Sequence, residues 1–127
     1  MDDRELHERG LKLRIDMFGH EAVEKRMAAF GDFGKPLQHI INAYAYGDVW
    51  SRSALTPATK SLVMVAMMAS AGHLNELRVH LNGALKNGCS PEQIQEVLLL
   101  LTLYCGIPVS NDAHRIAAEV LREHGKL

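Results

Sequence analysis

The chain has 127 residues, 47% of them hydrophobic and 23% charged, with 14 lysines and arginines against 15 aspartates and glutamates. A formal charge of −1 lacks the clustered basic excess of a nucleic-acid footprint, and the high apolar share argues against disorder. The length suits one domain over residues 1–127 with a modest core. Cys89 and Cys105 form no CxxC and are too few for a disulfide scaffold. The charged start, MDDRELHERGLKLRIDMFG, has no apolar h-region, and Leu62–Gly72 and Val97–Val109, the longest nearly uncharged stretches, are too short to span a bilayer. These features point to a soluble, reduced, cytoplasmic protein.

Taken in chain order, the apolar spacing predicts helices over roughly 2–17, 20–30 and 36–46, followed by an irregular segment, Gly47–Ser53. Thr56-Pro57 pairs an N-cap with a proline in the first turn and opens a helix to about Ala71, before Gly72. Asn75 can cap the next helix, which stops at Gly88. Ser90-Pro91-Glu92-Gln93 carries an N-cap, a first-turn proline and a capping-box glutamine, so a helix should run to Tyr104 and break at Cys105-Gly106-Ile107-Pro108. Ser110 or Asn111 should start the last helix, which ends near His124-Gly125. No run alternates with period two, so the fold class is all-α, a bundle of about six to seven helices.

Two segments, LVMVAMMASA at 62–71 and VLLLLTLY at 97–104, are apolar nearly all round. Such helices want burial on every side, which one small core does not supply, so an extensive subunit interface is expected. The bland reading makes one of them a central helix. Met64, Met67 and Met68 are best read as adaptable core filler.

The segment ELRVHLNGALKNG places Leu77, Leu81, Ala84 and Leu85 on one helix face, with His80 inside that stripe. Glu76 lies one turn before His80, so the two side chains share a side of the helix. A histidine held in an apolar stripe beside a carboxylate is an orientable acid/base; the plain alternative is a core histidine satisfied by Glu76. His73 extends the pattern to H-x-x-E-x-x-x-H, which could ligate zinc or iron, but no second cluster supplies further ligands and no metal is expected. Trp50, the only tryptophan, precedes Arg52 by two residues, and a planar guanidinium beside an aromatic suits a carboxylate clamp. Tyr104 ends an apolar helix at a tight bend of the kind that lines pockets.

W-S-R-S-A-L-T-P-A-T-K-S-L, N-E-L-R-V-H-L-N-G-A-L-K-N-G, S-P-E-Q-I-Q-E-V and Y-C-G-I-P, in that order, resemble the carboxymuconolactone decarboxylase family from about Gly47 to Leu121. The resemblance implies an AhpD-like helical fold, a homo-oligomer (hexamer or trimer), and cofactor-free conversion of 4-carboxymuconolactone to 3-oxoadipate enol-lactone in aromatic catabolism. It makes Glu76 and His80 the catalytic pair and Trp50, Arg52, His73 and Tyr104 the substrate-binding residues. In the related alkylhydroperoxidase branch the same helix carries C-x-x-C-x-x-x-H. Here His73 and Glu76 stand at the two cysteine positions, which implies no thiol peroxidase activity. The family usually has Pro-Gly where this chain has Ser53-Ala54, and arginines where it has Ala58, Lys60 and His73.

Two other classes remain open on the residues. One is a family member acting on a different small acid or lactone, or binding it without turnover. The other is a helix-turn-helix from 91–104 and 111–124, but NDAHRIAAEVLREH has three acidic residues and two arginines, a poor match to a phosphate backbone.

Overall fold

The computed structural model describes residues 1–127, which form two compact units, Met1–Leu55 and Thr56–Leu127. All regular structure is helical, and no helix is long and apolar enough to cross a membrane.

In the first unit, α1 (Asp3–Phe18) is capped by the Asp2 carboxylate, which accepts from Glu5 N at 2.8 Å. It ends at Gly19, whose φ of 93° turns the chain into α2 (His20–Ala28). A 3₁₀ turn, Gly31–Gly34, leads into α3 (Lys35–Ile40), which continues without a break as a π-helix over Ile41–Trp50. The expected irregular stretch from Gly47 is therefore helical as far as Trp50. Wider i→i+5 winding is not encoded by a 3.6-residue apolar period, so that period could not reveal it.

The π-helix packs along α1 at unusually short range. A Cβ on Gly10 would sit 1.5 Å from Asn42 O, and one on Gly47 would sit 2.2 Å from Leu6 O. Both positions need glycine because backbone meets backbone there. Arg14 lies buried in this contact, donating from Nη1 to Gln38 Oε1 at 2.8 Å and to Asn42 Oδ1 at 3.0 Å. Its guanidinium also stands 5.7 Å from the Tyr46 ring centroid. Near the start of α1, the Tyr44 hydroxyl donates to Asp3 Oδ1 at 2.9 Å and His39 Nε2 lies 2.7 Å from Oδ2. The Tyr44 bond, then the His39 contacts, hold the Asp3 carboxyl below its usual range.

The second unit has α4 (Pro57–Ser70), α5 (Leu74–Lys86), α6 (Pro91–Cys105) and α7 (Ile107–Glu123). Their core includes Val65, Leu77, Leu81, Ile94, Leu98 and Val120. The Thr56 cap on Thr59 N and the reciprocal Ser90–Gln93 capping box form as the sequence implies. Two boundaries differ. His73, not Asn75, is the N-cap residue of α5, and it makes no side-chain cap bond. Helix α7 begins at Ile107 rather than at Ser110 or Asn111, because Gly106 at φ 101° reverses the chain within one residue. Pro108 is tolerated in that first turn, where its missing N–H would have no helical partner. Arg78 ties α5 to α7 through Glu119 and through Glu123, the latter at 3.3 Å.

Gly10→Ala forces a methyl group into the Asn42 carbonyl. We expect a loss of about 3 kcal/mol, the upper range for overpacking, measured by chemical denaturation of the purified variant beside wild type.

Candidate functional site

Helix α5 builds the chemical centre of the second unit. Its buried face comprises Leu77, Leu81 and Ala84 at 0–1% exposure, and the 3.6-residue turn carries His80 into the same face at 6%. The Nδ1 atom of His80 is itself buried. Leu77, Leu81 and Ala84 of the same helix belong to the hydrophobic core, so the imidazole stands as a polar group on an otherwise apolar helix face. Leu85 is only half-buried, a small departure from the expected stripe.

Glu76 is exposed, although it lies one turn from His80 on the same helix. His73 is also exposed, at the junction before α5. With His80 they form no cluster able to hold a metal ion.

Tyr104 projects from the end of α6 at 80% exposure. It lines an open apolar groove of about 480 Å³ between α4 and α6, together with Leu62, Val63, Met67, Leu100 and Cys105. His73, Glu76 and His80 are not among the residues of that groove. Met67 is exposed in it and Met64 is only half-buried, so the methionine group is not simple core filler.

Trp50 and Arg52 belong to the first unit, at the C-terminal end of the π-helix. The Trp50 ring stacks on Tyr46 with centroids 5.8 Å apart. The Arg52 side chain is 70% exposed and forks onto Asp48 Oδ1, from Nε at 3.2 Å and Nη2 at 3.0 Å. A surface pair of this kind is weak and open to exchange for another carboxylate. The Asp48 partner escaped sequence reading, though D-V-W-S-R has the i,i+4 spacing that signals it once the segment is helical.

A second histidine network was not foreseen. The Thr102 hydroxyl donates to Leu98 O at 2.8 Å, so it accepts from Ser110 Oγ at 2.5 Å. His114 Nδ1 lies 2.8 Å from Ser110 O, a carbonyl that only accepts. Nδ1 therefore carries a proton and donates to that carbonyl. This relay fastens α6 to α7. Its i,i+4 pair Ser110–His114 was visible in the sequence, but the Thr102 link depends on tertiary packing.

Residues 35–119 match the model of the Carboxymuconolactone decarboxylase family, a span that covers α3, the π-helix, α4, α5, α6 and most of α7. This chain belongs to that family. The 4-carboxymuconolactone decarboxylase of Acinetobacter baylyi is 35% identical over 125 residues, covering 98% of this chain and 93% of that protein. Nitrosuccinic acid decarboxylase of Metarhizium robertsii is 31% identical over 120 residues, covering 94% of this chain and 84% of that protein.

Cys89 is buried, donates to Ala58 O at 3.3 Å, and has its thiol pushed up by burial. Because the thiolate is the reactive form, Cys89 should resist alkylation in the folded protein at neutral pH. Mass spectrometry of iodoacetamide-treated chains should place no adduct on Cys89 until denaturant is added.

Proposed function

We propose that this protein is a decarboxylase whose substrate is 4-carboxymuconolactone or a close lactone acid, acting in aromatic (protocatechuate/3-oxoadipate) catabolism. The observation that carries the reading is His80, a buried imidazole on the apolar face of α5 in a chain whose full-length relatives are decarboxylases.

The reaction asks little of a protein. When the carboxylate leaves as carbon dioxide, its bonding electron pair flows through the ring double bond onto the lactone carbonyl oxygen. A proton then adds to the ring carbon next to that carbonyl. The electron sink lies within the substrate, so no cofactor is required. The needs are a group to stabilise the developing oxyanion, a proton donor and a cation for a substrate carboxylate. His80 fills the first or second role, with Glu76 as its orienting carboxylate. Arg52 is the carboxylate clamp, and Trp50, His73 and Tyr104 complete substrate binding. Arg52 is suited to its role because its present partner, Asp48, is a carboxylate that a substrate can replace.

A second reading is favoured by the nitrosuccinic acid relative. Nitrosuccinate also carries a carboxylate on a carbon joined to an electron sink, here a nitro group. The same histidine chemistry then serves an acyclic acid.

The same proposal includes an AhpD-like homo-oligomer, hexamer or trimer. The α4/α6 groove supports it, because Val63, Met67, Leu100, Leu103 and Tyr104 all stand exposed on those two helices. Native mass measurement at micromolar concentration should show a multiple of the 14.1 kDa chain; a monomer would reject the assembly.

Purified protein should release carbon dioxide from 4-carboxymuconolactone, with nitrosuccinate assayed in parallel to separate the two substrates. His80→Ala should lower kcat by at least about a hundredfold, the low end for general acid/base catalysis. Helical circular dichroism must be retained for that comparison to count. Near-normal turnover by the folded variant would remove His80 from the mechanism.

A further inference from the structure

We propose that Arg9, on α1, is a positioning residue for the carboxylate clamp; this rests on Arg52 having the role proposed above. The last carbonyls of a helix have no ladder donor and must find partners elsewhere. Gly47 O, in the final turn of the π-helix, finds two. Arg9 donates to it from Nε at 2.8 Å and from Nη2 at 2.5 Å, and Ser51 Oγ donates at 2.6 Å. A cation at a helix C-terminus also meets the negative end of the helix dipole.

The arrangement is local to the clamp. Gly47 opens the segment that carries Asp48, Trp50 and Arg52, and Arg52 folds back onto Asp48. Because a Cβ at Gly47 would strike Leu6 O, α1 lies directly against this turn and no side chain keeps them apart. Helix α1 grips the π-helix at a second point, where Asp3 accepts from the Tyr44 hydroxyl. With α1 fixed at Asp3 and at Gly10, the Arg9 fork sets where the Gly47 carbonyl lies and hence the direction in which Trp50 and Arg52 leave the helix. Arg9 lies outside residues 35–119, the span matched by the family, so the feature belongs to this chain's N-terminal helix.

The test uses Trp50, the only tryptophan, as an internal reporter. Arg9→Ala should shift the Trp50 emission spectrum by loosening its stack on Tyr46, and Arg9→Lys should restore part of the wild-type spectrum. In steady-state decarboxylation of 4-carboxymuconolactone, Arg9→Ala should raise KM about tenfold, the effect of a misdirected Arg52 losing one charge-assisted hydrogen bond to the substrate carboxylate, with kcat within about twofold. Arg9→Lys should recover most of the KM. A wild-type spectrum and wild-type KM in Arg9→Ala would overturn the proposal. So would an equal fall in kcat with KM unchanged, which is what a purely structural role gives. If Arg9→Ala fails to fold, Arg9→Met, which keeps the apolar stem, takes its place with the same expected results. If the wild-type protein does not turn over the substrate, the decarboxylase reading fails. The emission spectra then still decide whether Arg9 holds the Trp50 segment.

Discussion

The pitch of helix α5 constrains everything that the second unit can do. A helix that buries Leu77, Leu81 and Ala84 must also bury whatever stands at position 80, because three and four residues separate it from its neighbours on that face. The imidazole is therefore carried into the core by its apolar companions. Glu76 shows the limit of the same geometry. It lies one turn before His80 and directly before the buried Leu77, yet it remains in solvent.

The first unit answers to a different constraint, the contact between α1 and the π-helix. Glycines at 10 and 47 let the two backbones meet, Gly10 against Asn42 O of the π-helix and Gly47 against Leu6 O of α1. Asn42, Gln38 and Arg14 then make a buried polar seam that neutral amides and one guanidinium share. A seam of this kind defines register more sharply than apolar packing, because each donor has a fixed acceptor. Trp50 and Arg52 inherit their positions from it.

Much of this was legible in the sequence, and the legible part was the local part. Thr56-Pro57 and Ser90-Pro91-Glu92-Gln93 specify helix starts with atoms no more than three residues apart, and both appear where expected. The burial of His80 followed from one helical period. The π-helix did not, since its winding depends on the fit against α1, and neither did the start of α7, where a positive-φ glycine and a proline act together. The Arg9–Gly47 contact joins residues 38 apart, and the Thr102–Ser110–His114 relay joins two helices. No local pattern marks the Arg9–Gly47 contact or the Thr102 link of the relay; only the Ser110–His114 spacing is local. Of the candidate site residues, His80 was readable with its environment, whereas Arg52 was readable only as a residue type, because its partner Asp48 depends on helical winding through Trp50.

The apolar surplus of α4 and α6 divides in the same way. Each helix spends one stripe on the core, Val65 and Ala69 from the first and Ile94, Leu98 and Leu101 from the second. The opposite stripes, with Val63, Met67, Leu100 and Tyr104, form a groove whose only hydroxyl-bearing residues are Thr59, Ser70 and Tyr104. Scattered apolar residues on a surface need no explanation, but a contiguous groove that lacks charged residues does. Tyr104 apart, substrate recognition is a poor explanation for it. A carboxylate ligand needs a cation, and none lines the groove, whereas Arg52 stands exposed with an exchangeable partner. In the proposed function, histidine and arginine serve the acid substrate, whereas the apolar faces that α4 and α6 leave exposed would meet another copy.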